Sequence, residues 1–402
     1  MKKIKQHFLT LPGQYVNFFK AIKDVIGWVL AWLKTIWDFE KPISEVYQTK
    51  NNAFDIFRFG MASLVIVHHA YVLLGIPDTN LFVRFTGGQL NLGGFAVGNF
   101  FVISGFLVTQ SLSNSKTLVG YFSKRFLRLF PALFISLALS AIFLGPFITG
   151  QSLPEYFLGV QGTSPFRFIF LNFTLNVFGY DYSIRDLFAN NPYPYAVNGS
   201  LWTLKHEFAS YVLLAVLSVF GMLKHPKLLL VFTAFVGGVY LAYDFVGTLL
   251  FGKITTTWWI FHSAEYPSFL LLLWLFLLGA ILYIFRERIF VSTKMLVLLT
   301  GVLLLSIKLG YLNYTWHIFS PYLVICLSIL LPLSWFSKYG DFSYGIYIYA
   351  FPVQQVLAMY YPHFGPKRMM LLAFLITLVI SIFSWHFVEK PALSLKKKMG
   401  NI

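Results

Sequence analysis

The hydrophobic residues of this chain form long apolar runs, and short polar and basic segments separate them. An α-helix rises about 1.5 Å per residue, so roughly 20 apolar residues cross the ~30 Å hydrocarbon core of a bilayer. Runs of that kind cover approximately residues 59–76, 92–112, 129–149, 201–222, 228–248, 267–285, 292–310, 316–335, 342–361 and 369–388. Backbone amides in lipid must be hydrogen-bonded within the span, which requires helices or closed barrels. The pattern predicts an all-α polytopic membrane protein with about ten transmembrane helices.

Composition and charge narrow this interpretation. The chain is 57% hydrophobic and 11% charged, whereas soluble domains carry about 25% charge. One cysteine, Cys326, excludes an internal disulfide. A net charge of +16 would suggest nucleic acid in a soluble protein, but here the Lys and Arg residues lie mostly in alternate loops between apolar runs. The positive-inside rule then predicts that both termini are cytoplasmic, in a multi-pass protein of the bacterial plasma membrane without a nucleic-acid partner.

Three regions follow from the pattern. Residues 1–50 mix Lys with Phe, Trp and Ile, which predicts an amphipathic helix at the inner membrane interface, with one extra span as the alternative. Residues 51–395 form the membrane domain, and 396–402 a short basic tail. Within the membrane domain, residues 150–200 form a long outer loop rich in Asn, Pro, Tyr and Phe. Its aromatic side chains either stack on sugar rings or anchor the loop at the lipid headgroups.

Ionisable residues inside an apolar span are costly and therefore informative. The first span carries Asp55, Arg58, His68 and His69. Arg58 and His69 are eleven residues apart, about 1100° of helical rotation, so they share one face with an axial rise of about 16 Å. Asp55 is placed to pair with Arg58. A neutral histidine can accept a proton from an attacking hydroxyl, although a purely structural hydrogen bond to a carbonyl explains a buried histidine equally well.

Other polar clusters lie at the ends of later spans. Three cations, Lys124, Arg125 and Arg128, suit the oxygens of a phosphate, with anionic lipid as the competing partner. Ser104 and Gly105 either line a site or allow close helix packing. Glu207, beside Lys205 and His206, acts in a proton relay or simply forms an ion pair. Tyr344 and Tyr347 edge a substrate channel or pack in the core. The isolated His262, Glu265, His317 and His386 are interpreted as interface residues, and the sequence contains no recognised metal-binding motif.

In order along the chain, these segments resemble acyltransferase family 3, a family of integral membrane O-acyltransferases. The resemblance covers residues 51–395. Its motifs are Asp55-x-x-Arg58 followed by His69, Phe100-Phe101-x-x-Ser104-Gly105-Phe106-Leu107, Arg125-x-x-Arg128 with Pro131, Leu201-Trp202-Thr-Leu-x-x-Glu207, Ser343-Tyr344-x-x-Tyr347, and Val388-Glu389-Lys390-Pro391. Six fragments in the family's order make a specific match.

The resemblance implies a ten-span enzyme that takes an acyl group, usually acetyl from acetyl-CoA, at the cytoplasmic side. It implies delivery to a hydroxyl of a cell-surface or lipid-linked glycan, with acyl-CoA as co-substrate and no permanently bound cofactor. The implied site residues are His69, Arg58 and Glu207 for catalysis; Arg125, Arg128, Lys124, Phe100, Phe101, Ser104 and Gly105 for the donor; and Trp202, Tyr344 and Tyr347 for the substrate.

The chain departs from the family at three places. Ala96 and Gly98 replace a frequent glycine and an acidic residue before the double Phe. Where many members have a histidine after the Ser-Tyr-x-x-Tyr segment, this chain reads Tyr349-Ala350-Phe351-Pro352. Lys205 and His206 also differ from the usual residues beside Glu207. These departures bear on the donor pocket, on a second catalytic histidine and on the choice of acceptor.

A second functional hypothesis is a flippase or transporter for a lipid-linked glycan, in which the buried polar groups line a path. Such a protein needs no thioester. Use of acyl-CoA therefore separates the two hypotheses.

Overall fold

The computed structural model describes Lys34, residues 37–251 and residues 266–395, with only the backbone described at 243–251 and 266–267. The predicted interfacial helix of residues 1–50, with its alternative of an extra span, lies largely outside the described residues. The basic tail at 396–402, His262 and Glu265 also lie outside them. The described chain is mostly helical, as the apolar runs predict.

In the described part of the chain, ten long helices occupy the positions of the ten predicted spans. They are α1 (Phe54–Val72), α2 (Leu92–Ser113), α3 (Leu118–Ala138), α4 (Trp202–Val219), α5 (Pro226–Phe251), α6 (Tyr266–Ile284), α7 (Thr293–Leu309), α8 (Leu312–Leu330), α9 (Ser343–Tyr360) and α10 (Pro366–Ser384). π-helical turns at Leu139–Leu144 and Trp385–Glu389 extend α3 to Thr149 and α10 to Ser394. Among the described residues, three helices are long and apolar enough to cross a membrane, namely Leu92–Ser113, Leu118–Thr149 and Pro366–Ser394. The number ten and the orientation of the termini stay predictions.

Short elements connect these helices. The strands β1 (Glu40–Pro42) and β2 (Phe290–Ser292) pair antiparallel, with Glu40 opposite Ser292. Short helices span Ile43–Val46, Leu81–Phe85, Leu153–Leu158 and Pro165–Phe173, and 3₁₀ turns span Gly199–Leu201 and Ser334–Lys338. The predicted outer loop at 150–200 is therefore partly helical and packs against the bundle.

Helix caps explain where the helices begin better than hydropathy does. α3 begins at Leu118, eleven residues before the predicted apolar run, because the side chain of Thr117 accepts a hydrogen bond from the backbone N–H of Gly120 at 3.0 Å. The polar Lys124, Arg125 and Arg128 thereby belong to the helix rather than to a loop. This extension places the three cations at fixed helical spacing on α3.

α2 is the centre of the bundle and packs against α1, α6 and α8. Its closest approach is to α6, where glycines allow backbone contact. A Cβ at Gly105 would lie 1.9 Å from the carbonyl oxygen of Phe276, and one at Gly279 would lie 2.1 Å from that of Val102. Gly105 is thus explained by helix packing, the structural alternative that the sequence left open.

We expect Gly105→Ala to destabilise the protein because the new methyl group meets backbone on α6 and the helices must separate. Overpacking of this kind costs roughly 1–3 kcal/mol. The thermal midpoint of the detergent-solubilised protein should fall. Gly60→Ala is the matched control, since nothing lies within 4 Å of a Cβ at Gly60 and alanine favours helix. Equal midpoints for Gly105→Ala and wild type would contradict the packing argument.

Candidate active site

A cavity of about 380 Å³ lies among α1, α2, α3, α4 and α9, at the N-terminal end of α1 and the C-terminal end of α10. Its lining includes most of the residues that the sequence assigned to the site. These are Arg58, Phe100, Phe101, Ser104, Arg125, Arg128, Glu207, Tyr344 and Tyr347. The structure therefore brings together residues from five separate helices, and it does so in one partly polar space.

Asp341 organises one wall of this cavity. Its Oδ2 accepts hydrogen bonds from Arg58 Nη1 at 2.5 Å and from Arg128 Nη2 at 2.6 Å. Its Oδ1 accepts from the hydroxyl of Ser343 at 2.5 Å. Arg128 also reaches Glu389 Oε2 at 3.5 Å. The predicted partner of Arg58 was Asp55, but the ion pair forms with Asp341 because α9 brings that carboxylate across the cavity.

This cluster is largely removed from solvent. The side chains of Asp341 and Arg128 are each 12% exposed, and that of Glu389 is 2% exposed. Burial alone would raise the pKa of Asp341, but the Arg128 and Arg58 guanidinium groups hold it below its ordinary value. Asp341 is therefore a permanent anion at neutral pH, and it holds two arginines side by side.

Arg125 occupies a different electrostatic position in the same cavity. Its guanidinium lies 5.7 Å from the centre of the Tyr211 ring and reaches the Ser111 hydroxyl at 3.4 Å. Its Nε is buried and has no hydrogen-bond partner among the described residues. Lys124 points elsewhere, with its Nζ donating to Ser115 Oγ at 3.0 Å, and it does not line the cavity.

A second polar group lies deeper in the cavity. Glu207 Oε1 accepts hydrogen bonds from Ser104 Oγ at 3.3 Å and from the Tyr211 hydroxyl. The Tyr347 hydroxyl lies 2.7 Å from Thr203 Oγ1, and the Tyr347 ring meets Phe100 edge to face at 5.9 Å. Glu207 is thus positioned by a hydroxyl pair rather than by the adjacent Lys205 or His206.

Trp202 does not line the cavity. Its ring packs against His206 at 5.6 Å. Both ring nitrogens of His206 are buried without a hydrogen-bond partner among the described residues.

His69 lies beyond the deep end of the cavity. α1 and α2 run antiparallel, with Met61 beside Asn99 and His68 beside Gly93. In that register Val97, the α2 lining residue nearest this end, is level with residue 64 of α1. His69 is five residues further, about 8 Å along the axis. Arg58, at one end of the predicted shared face of α1, lines the cavity. His69, at the other end of that face, does not.

The surroundings of His69 are aromatic. Its ring meets Phe351 edge to face at 5.1 Å and lies 5.8 Å from the ring of His68. Its Nδ1 is buried and has no hydrogen-bond partner among the described residues. Phe351 is one of the positions at which this chain departs from the resembled family. The structure therefore gives His69 no second histidine from α9.

The sequence analysis assigned no role to several polar residues in the cavity and beside it, namely Asp341, Tyr211 and Glu389. Asp341 precedes the Ser343-Tyr344 motif by two residues, and Glu389 belongs to the closing Val-Glu-Lys-Pro motif. A carboxylate at the end of an apolar run is the signal that would have found both, since it needs a buried cation. Tyr211 carries no such signal. Among the described residues, no group of three or more His, Cys, Asp and Glu could hold a metal ion.

Comparison with known proteins gives the family. The family described as "Acyltransferase domain" matches residues 51–386. An O-acetyl transferase of Shigella phage Sf6 is 32% identical over 355 residues, which cover 86% of this chain and 97% of that protein. Nodulation protein 10 of Rhizobium leguminosarum bv. viciae is 27% identical over 393 residues, covering 89% and 97% respectively. No solved structure shows significant similarity.

The motifs that carried the resemblance lie within the matched region, and most of their polar side chains meet at one cavity. Membership of an enzyme family also decides between the two hypotheses in favour of an enzyme. The apolar helices agree with a membrane location. The chain belongs to this acyltransferase family and is a membrane O-acyltransferase.

Proposed function

We propose that the protein transfers an acetyl or other short acyl group from acyl-CoA to a hydroxyl of a cell-surface or lipid-linked glycan. In this proposal ten helices span the bacterial plasma membrane and both termini are cytoplasmic. The observation that carries it is the cavity, which gathers Arg58, Arg125 and Arg128 at one end of the bundle. The positive-inside rule puts that end in the cytoplasm, where acyl-CoA is made.

Arg125 is the cation best suited to bind the phosphates of CoA. Arg58 and Arg128 already share Asp341, so their charge is largely neutralised within the protein. Arg125 has no carboxylate partner within 4.0 Å among the described residues, and its Nε is free to donate. A guanidinium binds phosphate oxygens through paired N–H groups, and such charge-assisted bonds are the strong ones. Arg58 and Arg128 then shape the entrance, with Arg128 held as a secondary phosphate contact.

The apolar wall beyond Arg125 suits the pantetheine arm and the acyl group. Phe100, Phe101 and Leu107 line it, and Ser104 and Glu207 supply the polar contacts within it. The arm must pass the Phe100–Tyr347 ring pair to approach His69. A rotation of either ring would extend the cavity along the face of α1 that carries both Arg58 and His69.

His69 would provide acid–base catalysis. As the acceptor oxygen bonds to the thioester carbon, its proton passes to the imidazole; the carbon–sulfur bond then breaks and the thiolate recovers that proton. The products are an O-acyl ester and free CoA, and the histidine is regenerated. The buried Nδ1 of His69 has no partner in the described part of the chain, which favours a ring whose protonation is set by substrates rather than by a fixed carboxylate.

Two observations bear on the acyl group and on the acceptor. The name of the phage relative favours acetyl, and this chain shares 32% identity with it. A glycan acceptor is consistent with the aromatic segment at 190–195, on the far side of the bundle from the cavity.

A direct test uses purified protein in nanodiscs with [¹⁴C]acetyl-CoA. We expect saturable binding of acetyl-CoA and a slow release of free CoA. The release should become faster when acceptor glycan is added. Mass spectrometry and NMR of the surface polysaccharide from a deletion strain and its parent would identify the missing ester. Absence of both CoA binding and turnover, with identical polysaccharides, would refute the proposal.

We expect Arg125→Gln to raise the KM for acetyl-CoA by roughly 10- to 100-fold, since one hydrogen bond to a charged group contributes about 1.5–3 kcal/mol. kcat should change little because Arg125 does not touch the reacting carbon. The matched control is Lys124→Gln, which removes a neighbouring charge outside the cavity and should alter KM by much less. Equal effects of the two substitutions would show that only the general positive charge matters.

A further inference from the structure

A second polar site lies at the C-terminal end of α1, on the opposite side of the bundle from the cavity. His68 Nδ1 lies 3.1 Å from Asp78 Oδ2, and the two side chains are 22% and 17% exposed. A carboxylate only accepts hydrogen bonds, so the Nδ1–H tautomer of His68 fits this contact, and in that tautomer Nε2 presents a lone pair. A sugar hydroxyl can donate to such a lone pair.

The turn after α1 holds this pair rigidly. Asp78 Oδ1 accepts hydrogen bonds from the side chain of Asn80 at 2.6 Å and from its backbone N–H at 3.3 Å. Asn80 in turn caps the next short helix by accepting from Val83 N at 3.0 Å. On the other side, α2 leaves room for the imidazole only because residue 93 is glycine: a Cβ there would lie 2.5 Å from His68 Cδ2. The dyad is therefore built by three segments of the chain.

The aromatic segment Asn190–Tyr195 lies beside the same end of α1. Pro192 lies 3.1 Å from the position of a Cβ on Gly75, in the turn that follows α1. The Tyr193 ring lies 6.2 Å from Phe351, which itself contacts His69. Tyr193 and Tyr195 are 43% and 49% exposed, so their ring faces are available to a ligand.

Buried amides fix the backbone of this segment. Gln355, fully buried on α9, donates to the carbonyl oxygens of Tyr193 at 2.9 Å and Ala196 at 2.7 Å. Asn191 donates to the side-chain oxygen of Gln355 at 2.7 Å. Backbone carbonyl oxygens held against the bundle need such partners. The anchors hold the exposed tyrosines beside the bundle without using the tyrosine side chains.

We infer that His68, Asp78 and Tyr193 form the subsite that binds the sugar ring of the acceptor, with the ring on Tyr193 and a hydroxyl on His68 Nε2. This inference rests on the proposed function, because it assigns the glycan to the face opposite the acyl-CoA cavity. Sites with an aromatic surface and a few fixed polar groups are the usual form for such ligands. A hydroxyl held by His68 lies next to His69, since the two rings are 5.8 Å apart.

The test measures glycan binding directly, without acyl-CoA. The probes are methyl glycosides of common hexoses, 6-deoxyhexoses and N-acetylhexosamines, titrated onto the full-length protein in nanodiscs and followed by saturation-transfer NMR. We expect saturable binding of at least one glycoside to wild type. Tyr193→Ala, Asp78→Asn and His68→Gln should each weaken it at least tenfold. No saturable binding to wild type, or undiminished binding to the variants, would overturn the subsite.

Two matched controls guard against a folding effect. Tyr339→Ala removes a tyrosine that is 64% exposed at the other end of the bundle and should leave binding unchanged. Gly93→Ala should displace His68 and weaken binding, whereas Gly94→Ala, whose Cβ meets Asn91 Oδ1 at an ordinary 3.5 Å, should not.

Acetyl-CoA binding by the same variants separates this inference from the proposed function. Loss of glycan binding with normal acetyl-CoA binding supports the subsite. Glycan binding without any acetyl-CoA binding by wild type would contradict the proposed function instead. Equal loss of both in all variants would show that the residues only stabilise the fold, and would overturn the subsite.

Discussion

Replacing His69 with alanine is expected to lower acyl transfer by roughly 10²- to 10⁴-fold, the usual contribution of a general base. The imidazole is the only group proposed to carry the proton between the acceptor oxygen and the thiolate. Binding of acetyl-CoA should persist, because His69 lies about 8 Å beyond the cavity along α1. The measurement is initial rate with labelled acetyl-CoA, with binding measured separately on the same preparation.

His386→Gln is the control for this prediction. His386 is exposed, its Nδ1 lies 2.9 Å from the carbonyl oxygen of Ile382, and it does not line the cavity. The His386→Gln variant should retain full activity, which would show that losing a histidine does not by itself lower acyl transfer. His68→Ala should raise the KM for the acceptor and leave kcat less affected. An active His69→Ala protein would contradict the proposed acid–base role of His69. An inactive His68→Ala protein together with an active His69→Ala protein would assign that role to His68 instead.

Replacing Asp341 with alanine should have the largest effect on stability. It leaves Arg58 and Arg128, 21% and 12% exposed, without their shared anion. Removing one partner of a buried ion pair costs about 3 kcal/mol or more, because a buried charge loses its compensation. We expect a lower thermal midpoint, less protein in the membrane and a raised KM for acetyl-CoA. Asp341→Asn should be milder, since the amide oxygen still accepts one hydrogen bond.

The surface pair Asp38–Lys294 provides the comparison. Its oxygen and nitrogen are 2.9 Å apart, but the two side chains are 47% and 53% exposed. Solvent screens such pairs, so Asp38→Asn should leave the thermal midpoint unchanged. Equal midpoints for wild type and Asp341→Ala would contradict a stabilising role of the ion pairs that Asp341 forms with Arg58 and Arg128.

The lowered pKa of Asp341 also predicts how the stability of the protein depends on pH. Because the folded protein holds the pKa of Asp341 below its ordinary value, the carboxylate stabilises the fold at neutral pH. Its contribution is fully present above the unfolded pKa of about 3.9 and is lost as the pH falls through the lower folded value. Wild type should therefore lose more stability than Asp341→Asn on acidification from pH 5 to pH 3.

The helical frame of this protein could be predicted from sequence because lipid leaves few alternatives to a helix. The start of α2 at Leu92 agrees with the predicted run, since Asn91 caps it by accepting from Gly94 N at 2.7 Å. The start of α3 was misplaced because hydropathy does not register a polar first turn. The fold of residues 150–200 was not predictable from periodicity, as its anchors are long-range hydrogen bonds to α9.

The sequence could predict most of the residues that line the cavity, but not which of them pair with each other. Local spacing suggested Asp55 as the partner of Arg58, whereas Asp341 lies 283 residues away in sequence. Only the packing of α9 against α1 and α3 brings that carboxylate to both arginines. The same packing leaves Arg128 partly neutralised by Asp341 and Glu389, whereas Arg125 has no carboxylate partner among the described residues. The spacing of residues on a single helix cannot show which of these arginines has a carboxylate partner.

The position of His69 relative to the cavity could not be predicted from helical spacing alone. Helical spacing put it on the same face as Arg58, and the register of α1 against α2 supports that common direction. The spacing did not show that the cavity ends at the level of Val97, or that Phe351 packs against the imidazole. In the proposed mechanism, the acyl end of the bound donor must cross the distance between the cavity and His69.

The most direct measurement uses sealed membrane vesicles of both orientations and external [¹⁴C]acetyl-CoA, which does not cross the bilayer. Inside-out vesicles expose the face that carries Arg58, Arg125 and Arg128 in the proposed topology, and we expect them to release CoA and acquire labelled glycan. Right-side-out vesicles should do neither until they are permeabilised. Turnover by intact right-side-out vesicles alone, or acceptor modification in both without CoA release, would contradict donor entry through this cavity.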